Sequence, residues 1–211
     1  MAERRYTPRE EVWNWGSHLL GAVAVLLLGL PLLRPAGGFW LTAARIFYWF
    51  SMLAMCAASS CYHLTRDPER KALCRKFDHC AIYLLITGTY APLMAGLIPD
   101  RRGVAVMAAL IALTLIGIGV KFGCSNRFHR VEIVIYIIMG WLCLAVFRPL
   151  VSAMGRTSFI LLLSGGIAYT AGVVFYVIKR EFFHALWHFM VLSGVILQLF
   201  SILLLFRPAG K

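Results

Sequence analysis

Apolar stretches long enough to cross a bilayer follow one another along the chain, and the polar residues fall mostly in short gaps between them. An α-helix rises 1.5 Å per residue, so about 20 residues span the hydrocarbon layer. The pattern predicts helices over residues 14–33, 40–63, 78–98, 104–122, 131–152, 157–178 and 184–206. The gaps leave no room for a second unit, so residues 1–211 are expected to form a single transmembrane domain, an all-α bundle of seven helices. The first window follows the basic residues Arg4, Arg5 and Arg9. It is longer than the apolar core of a cleaved signal peptide and is read as a retained helix.

Finer patterning fits this picture. Trp13, Trp15, Trp40 and Trp187 lie near predicted helix ends, where indole rings anchor at the interface. Ser164, Ala168 and Gly172 recur every four residues and predict a small-residue stripe for close helix approach. Gly165, Gly166 and Pro92 read as packing or kinking positions. No internal repeat is visible.

Composition closes off the soluble alternative. Of 211 residues, 61% are hydrophobic, more than a soluble fold of this size can hide. The net charge of +12 would suggest nucleic acid in a soluble protein, but no nucleic-acid motif accompanies it. The basic residues instead fix orientation. One side collects Arg4, Arg5, Arg9, Arg66, Arg70, Lys71, Arg75, Lys76, Lys121, Arg127, Arg130, Lys179 and Arg180. The other holds Arg34, Arg45, Arg101, Arg102, Arg148, Arg156, Arg207 and Lys211. The richer side is expected to be cytoplasmic, with the N-terminus inside, the C-terminus outside and the protein in a plasma (inner) membrane. That orientation is opposite to a G-protein-coupled receptor. The six cysteines (Cys56, Cys61, Cys74, Cys80, Cys124 and Cys143) form no CxxC pair and read as buried small hydrophobes.

Ionisable groups inside membrane helices are costly and mark function. Ser59 and His63 are four residues apart near the end of the second window, and His184 and His188 repeat that spacing at the start of the seventh. A pair of histidines at this spacing can present two imidazole nitrogens to one metal ion. Asp78 is expected to open the third helix, where it could serve as an N-cap. Alternating topology puts Ser59, His63, Asp78, His184 and His188 at one membrane depth. Three imidazoles leave a zinc ion an open fourth position, the arrangement associated with catalysis. Asp78 would then handle a proton, and Ser59 would orient water or steady an oxyanion. Interfacial hydrogen bonding stands as the alternative for each histidine alone.

Other polar residues read as structural. His18 is expected to make a helix contact. His79 is about 100° around the helix from Asp78 and is not expected to share the site. His129 is expected to face water, and Glu132 and Arg148 to snorkel from helix ends.

At these residues the chain resembles the hemolysin III proteins, the bacterial-type branch of the progestin and adipoQ receptor family. Ser59-Ser60-Cys61-Tyr62-His63 looks like the family's S-x-x-x-H segment, and Asp78 to Pro92 resembles its D-H-x-x-I-Y-x-x-I-x-G-T-Y-x-P block. His184 to His188, Tyr136 to Trp141, Gly165 to Tyr176, and Glu11, Asn14, His18 and Gly21 match as well. The resemblance implies seven helices, zinc on His63, His184 and His188, and Asp78 and Ser59 beside it. Gln198 stands where some relatives carry a further histidine, so no ligand is placed there.

Two function classes follow. One is a zinc-dependent hydrolase of a lipid amide or ester, similar to the alkaline ceramidases, with membrane lipid as substrate. The other is a membrane-lytic or pore-forming hemolysin, or a lipid sensor with structural zinc. The polar groups gather at one depth rather than along a channel, which disfavours a long pore. A receptor for a large external ligand is ranked last, because the loops are short.

Overall fold

The computed structural model describes residues 6–35, 37–123 and 129–207. Arg4, Arg5, Cys124, Arg127 and Lys211 lie outside the described residues, as do the side chains of His129 and Arg130. Among the described residues there is no strand. The helices are α1 (Pro8–Leu28), α2 (Phe39–Leu64), α3 (Pro68–Leu97), α4 (Arg101–Gly123), α5 (His129–Gly140), α6 (Phe147–Ala153), α7 (Arg156–Val177) and α8 (Phe183–Leu205). With α5 and α6 counted together, seven segments are long and apolar enough to span a membrane.

Capping chemistry sets where two of these helices begin, ahead of their apolar windows. The Glu10 N–H donates to the Thr7 hydroxyl at 3.2 Å, and the Thr7 N–H donates to the Glu10 carboxylate at 2.9 Å. Pro8 at the first helical position completes the start of α1. Asp67, not Asp78, caps α3: it accepts from the Arg70 N–H at 2.9 Å, with Pro68 following. Asp78 therefore caps nothing and lies about three turns inside the helix.

The fifth span is broken rather than continuous. Pro149 cannot donate a backbone hydrogen bond, and its ring would crowd the carbonyl four residues back. After Gly140 the chain tightens into a 3-10 segment over Leu142–Val146 and resumes as α6. Tyr90 satisfies two of the groups this frees: its hydroxyl donates to the Gly140 carbonyl and accepts from the Cys143 N–H, each at 2.8 Å.

α3 is the central helix, with 67% of its apolar window buried inside the bundle against no more than 44% in any other span. Tyr48 and Met52 of α2, Tyr83 and Leu85 of α3, Leu110 of α4 and Leu199 of α8 form the core around it. Apolar residues such as Leu20, Val104 and Val174 cover the outer surface, as lipid requires. α7 meets α8 along Ser158, Gly165 and Gly172, which are buried and seven residues apart, whereas Ser164 and Ala168 are only half-buried. A Cβ on Gly172 would come within 2.9 Å of the Met190 Cβ, while Gly166 has open space around it.

Trp13 and Trp40 are exposed, as anchors should be, but Trp187 turns inward. Cys56 and Cys80 are buried as expected, and Cys61 is exposed. Arg45 is buried where its guanidinium donates to the carbonyls of Pro31 at 2.7 Å and Arg34 at 3.1 Å.

Candidate metal centre

One end of the bundle collects the start of α1, the end of α2, the N-terminal half of α3 and the start of α8. Phe182, the residue before α8, has a φ of 59°; its N–H donates to the Glu10 carboxylate at 3.0 Å, so the first helix pins the start of the last. This places His184 and His188 opposite His63. The His184 Nε2 stands 3.2 Å from the His63 Nε2 and 3.1 Å from the His188 Nε2. His63 and His188 are 4% and 2% exposed.

The outer ring nitrogens explain why the inner ones face each other. The His63 Nδ1–H donates to the Glu11 carboxylate at 2.6 Å, and Glu11 is held in turn by the Lys71 ammonium at 2.8 Å. The His188 Nδ1–H donates to the Asn14 carbonyl at 3.0 Å, which also accepts from the Ser17 hydroxyl. With Nδ1 protonated, neutral His63 and His188 each turn an Nε2 lone pair towards His184. A single proton on the His184 Nε2 can satisfy one of the two. A cation satisfies all three nitrogens, so the donor set fits a metal ion. The three ligand atoms lie within 4.8 Å of one another, and His63, His184 and His188 can hold a metal ion between them. Tyr6 stacks on the His184 ring at 4.8 Å and covers the centre from the side of the N-terminal segment.

Asp78 and Ser59 lie beside two of these histidines. Both line a cavity of about 30 Å³ together with His184 and His188, which is room for a water molecule. Ser59 is buried and Asp78 half-buried. His18 makes the expected helix contact, its ring 4.2 Å edge-to-face from that of His188, and it also lines the cavity. The His18 Nδ1 and the Asn14 amide are buried with no partner among the described residues, so the surroundings suit a polar occupant.

The structure corrects two sequence expectations here. His79 does line the cavity beside Asp78, because α3 is surrounded on adjacent faces. Glu132 does not snorkel: it is buried against Lys121 and His79. The anchoring roles of Glu11 and Asn14 were visible only as a matched pattern. The signal that could have found Glu11 is a carboxylate in the first turn of a membrane helix.

A second, larger cavity of about 110 Å³ adjoins the first between α3, α5, α7 and α8. Ile82, Tyr176, Trp187 and Val191 line both. Its wall is mostly apolar, with Thr89, Tyr90 and Gln198 among the few polar groups.

Comparison with known proteins agrees with this architecture. The model of the family described as "Haemolysin-III related" matches residues 6–199. A "Hemolysin-3 homolog" of Bacillus subtilis (strain 168) is 32% identical, covering 94% of this chain and 95% of the relative. A "Hemolysin-3" of Bacillus cereus is also 32% identical, covering 96% and 94%. The chain belongs to the haemolysin-III related family and is a multi-pass integral membrane protein of the plasma membrane.

Proposed function

We propose that this protein is a zinc-dependent hydrolase of a lipid amide or ester, with its metal centre at the cytoplasmic face. The observation that carries this reading is the set of three imidazole Nε2 atoms converging beside a carboxylate and a hydroxyl. Contacts of 3.1 and 3.2 Å approach the ligand–ligand edge of a tetrahedral zinc site, about 3.3 Å for Zn–N bonds of about 2.05 Å. Bound zinc supplies Lewis acidity, polarising a carbonyl and making water a nucleophile at neutral pH.

The chain's own residues supply the rest. Glu11 and the Asn14 carbonyl hold two ligands in the tautomer that frees Nε2. Asp78 takes a proton from the attacking water and returns it to the leaving group. Ser59 donates to the oxygen that gains charge in the transition state. The larger apolar cavity receives an acyl chain, and Trp187 and Tyr176 sit where chain and headgroup meet.

The test is elemental mass spectrometry and turnover of detergent-purified protein, comparing wild type with Asp78→Ala and His188→Ala. About one zinc per chain is expected. Asp78→Ala should keep zinc and lose hydrolysis of acyl esters and amides, and His188→Ala should lose both. Retained turnover in Asp78→Ala would sink the mechanism. The Bacillus cereus relative bears the name "Hemolysin-3", so dye release from liposomes is the matching control. Leakage that persists in His188→Ala would favour the lytic reading.

A further inference from the structure

One buried ionic cluster has no task in the chemistry above. His79, Lys121 and Glu132 come from α3, α4 and α5, with side chains 8%, 5% and 7% exposed. The Lys121 ammonium is 2.9 and 3.0 Å from the two Glu132 carboxylate oxygens and 2.8 Å from the His79 Nδ1. The same Nδ1 is 3.0 Å from the Glu132 Oε2. The Tyr136 hydroxyl donates to the His79 carbonyl at 2.9 Å and ties α5 to this point of α3.

A lysine–glutamate pair would account for two buried charges that neutralise each other. It does not account for a histidine that touches both and also lines the Asp78 cavity. The His79 Nδ1 has a donor and an acceptor within reach. In one tautomer it accepts from Lys121, and in the other it donates to Glu132. A ring so placed can gain a proton at Nε2 while losing one from Nδ1, without moving. Lys121 lies in the last turn of α4 and Glu132 in the first turn of α5, so the cluster sits between the cavity that His79 lines and the adjoining ends of these two helices.

We propose that His79, Glu132 and Lys121 form a proton relay between the Asp78 cavity and the adjacent membrane surface. The relay rests on the hydrolase reading and narrows it to ester substrates. In ester hydrolysis the acyl carbon bonds to the water oxygen and its bond to the alkoxy oxygen breaks. One proton of the water passes through Asp78 to the leaving alkoxide. The acid product then gives up the other at neutral pH, so one proton leaves the site per turnover. With an alkyl amide the released amine takes up that proton, and none leaves on balance.

The experiment uses the full-length, zinc-loaded protein in mixed micelles with ethyl palmitate and N-ethylpalmitamide as probes, and reads palmitate by mass spectrometry. The variants are Glu132→Gln and the double variant Lys121→Met, Glu132→Gln, which removes both charges together and leaves no unpaired buried ion. The double variant should keep zinc content and melting temperature while ester turnover falls about tenfold or more. Added imidazole at constant pH should restore that turnover, which it would not do for a packing defect. Full ester turnover in the double variant, or a loss that imidazole does not restore, overturns the relay and leaves the hydrolase reading intact. A wild type that cleaves only the amide also overturns the relay. A zinc-loaded wild type that cleaves neither probe overturns the hydrolase reading and the relay with it.

Discussion

Glu11 and His63 meet at 2.6 Å across the α1–α2 contact, carboxylate oxygen to Nδ1, and the Lys71 ammonium closes on the other carboxylate oxygen at 2.8 Å. A ring nitrogen held this way fixes both the tautomer and the direction of the opposite nitrogen. The candidate metal centre is thus held by α1 as much as by α2 and α8, which carry its three histidines.

Replacing Glu11 should therefore weaken metal binding without touching a ligand. Glu11→Ala is expected to lower zinc affinity about 10- to 100-fold. Glu11→Gln keeps an acceptor for the Nδ1–H and should lose less. Competition against a chromophoric chelator measures both, and equal affinities across the three proteins would show that His63 needs no anchor.

Two glycines on α7, Gly166 and Gly172, should respond differently to the same change. At Gly172 a methyl group would press on the Met190 Cβ and the Trp187 ring, each 2.9 Å away. Gly172→Ala should cost about 1–3 kcal/mol through overpacking. Gly166→Ala meets nothing within 4 Å and should leave the melting temperature unchanged or raise it. Equal melting curves for the two variants would mean that α7 and α8 do not pack along this line.

The break in the fifth span depends on one phenol. Tyr90→Phe would strip the Gly140 carbonyl and the Cys143 N–H of a shared partner within a membrane-spanning segment. The expected loss is roughly 1–3 kcal/mol, read as a lower melting temperature in detergent. An unchanged melt would indicate that water or another side chain takes over both groups.

Orientation can be checked with reporter fusions. The basic bias places Arg66, Arg70, Arg75 and Lys76 inside, so a C-terminal alkaline phosphatase should be active and a C-terminal green fluorescent protein dark. The reverse pattern would put the candidate metal centre at the outer face.

Residues 8–13 and 68–77 show why hydropathy under-read the helices. Both stretches are polar, so the apolar windows miss them, yet Thr7-Pro8-Arg9-Glu10 and Asp67-Pro68 are start signals written in the sequence. Asp78 looked like a helix opener only because the apolar window began there. Hydropathy reports the membrane's thickness, whereas a helix runs on for as long as its caps and contacts allow. The same gap hid Glu10 and the role of Glu11, which sit on the part of α1 ahead of the window.

The sequence by itself determined the number of spans and the shared depth of Ser59, His63, Asp78, His184 and His188. Both depend on periodic, local properties: segment length, four-residue spacing and alternation of direction. Only the tertiary structure decided which neighbours meet across helices. Gly165 and Gly172 are buried against α8, so of the four-residue stripe only Gly172 lies on that line, while Ser164 and Ala168 are half-buried. His79 reaches the Asp78 cavity and Glu132 at once, and Glu11 and the Asn14 carbonyl hold the rings of His63 and His188. The rotation of one helix against another is set by side-chain packing summed over the whole bundle, and no local stretch of sequence carries that sum.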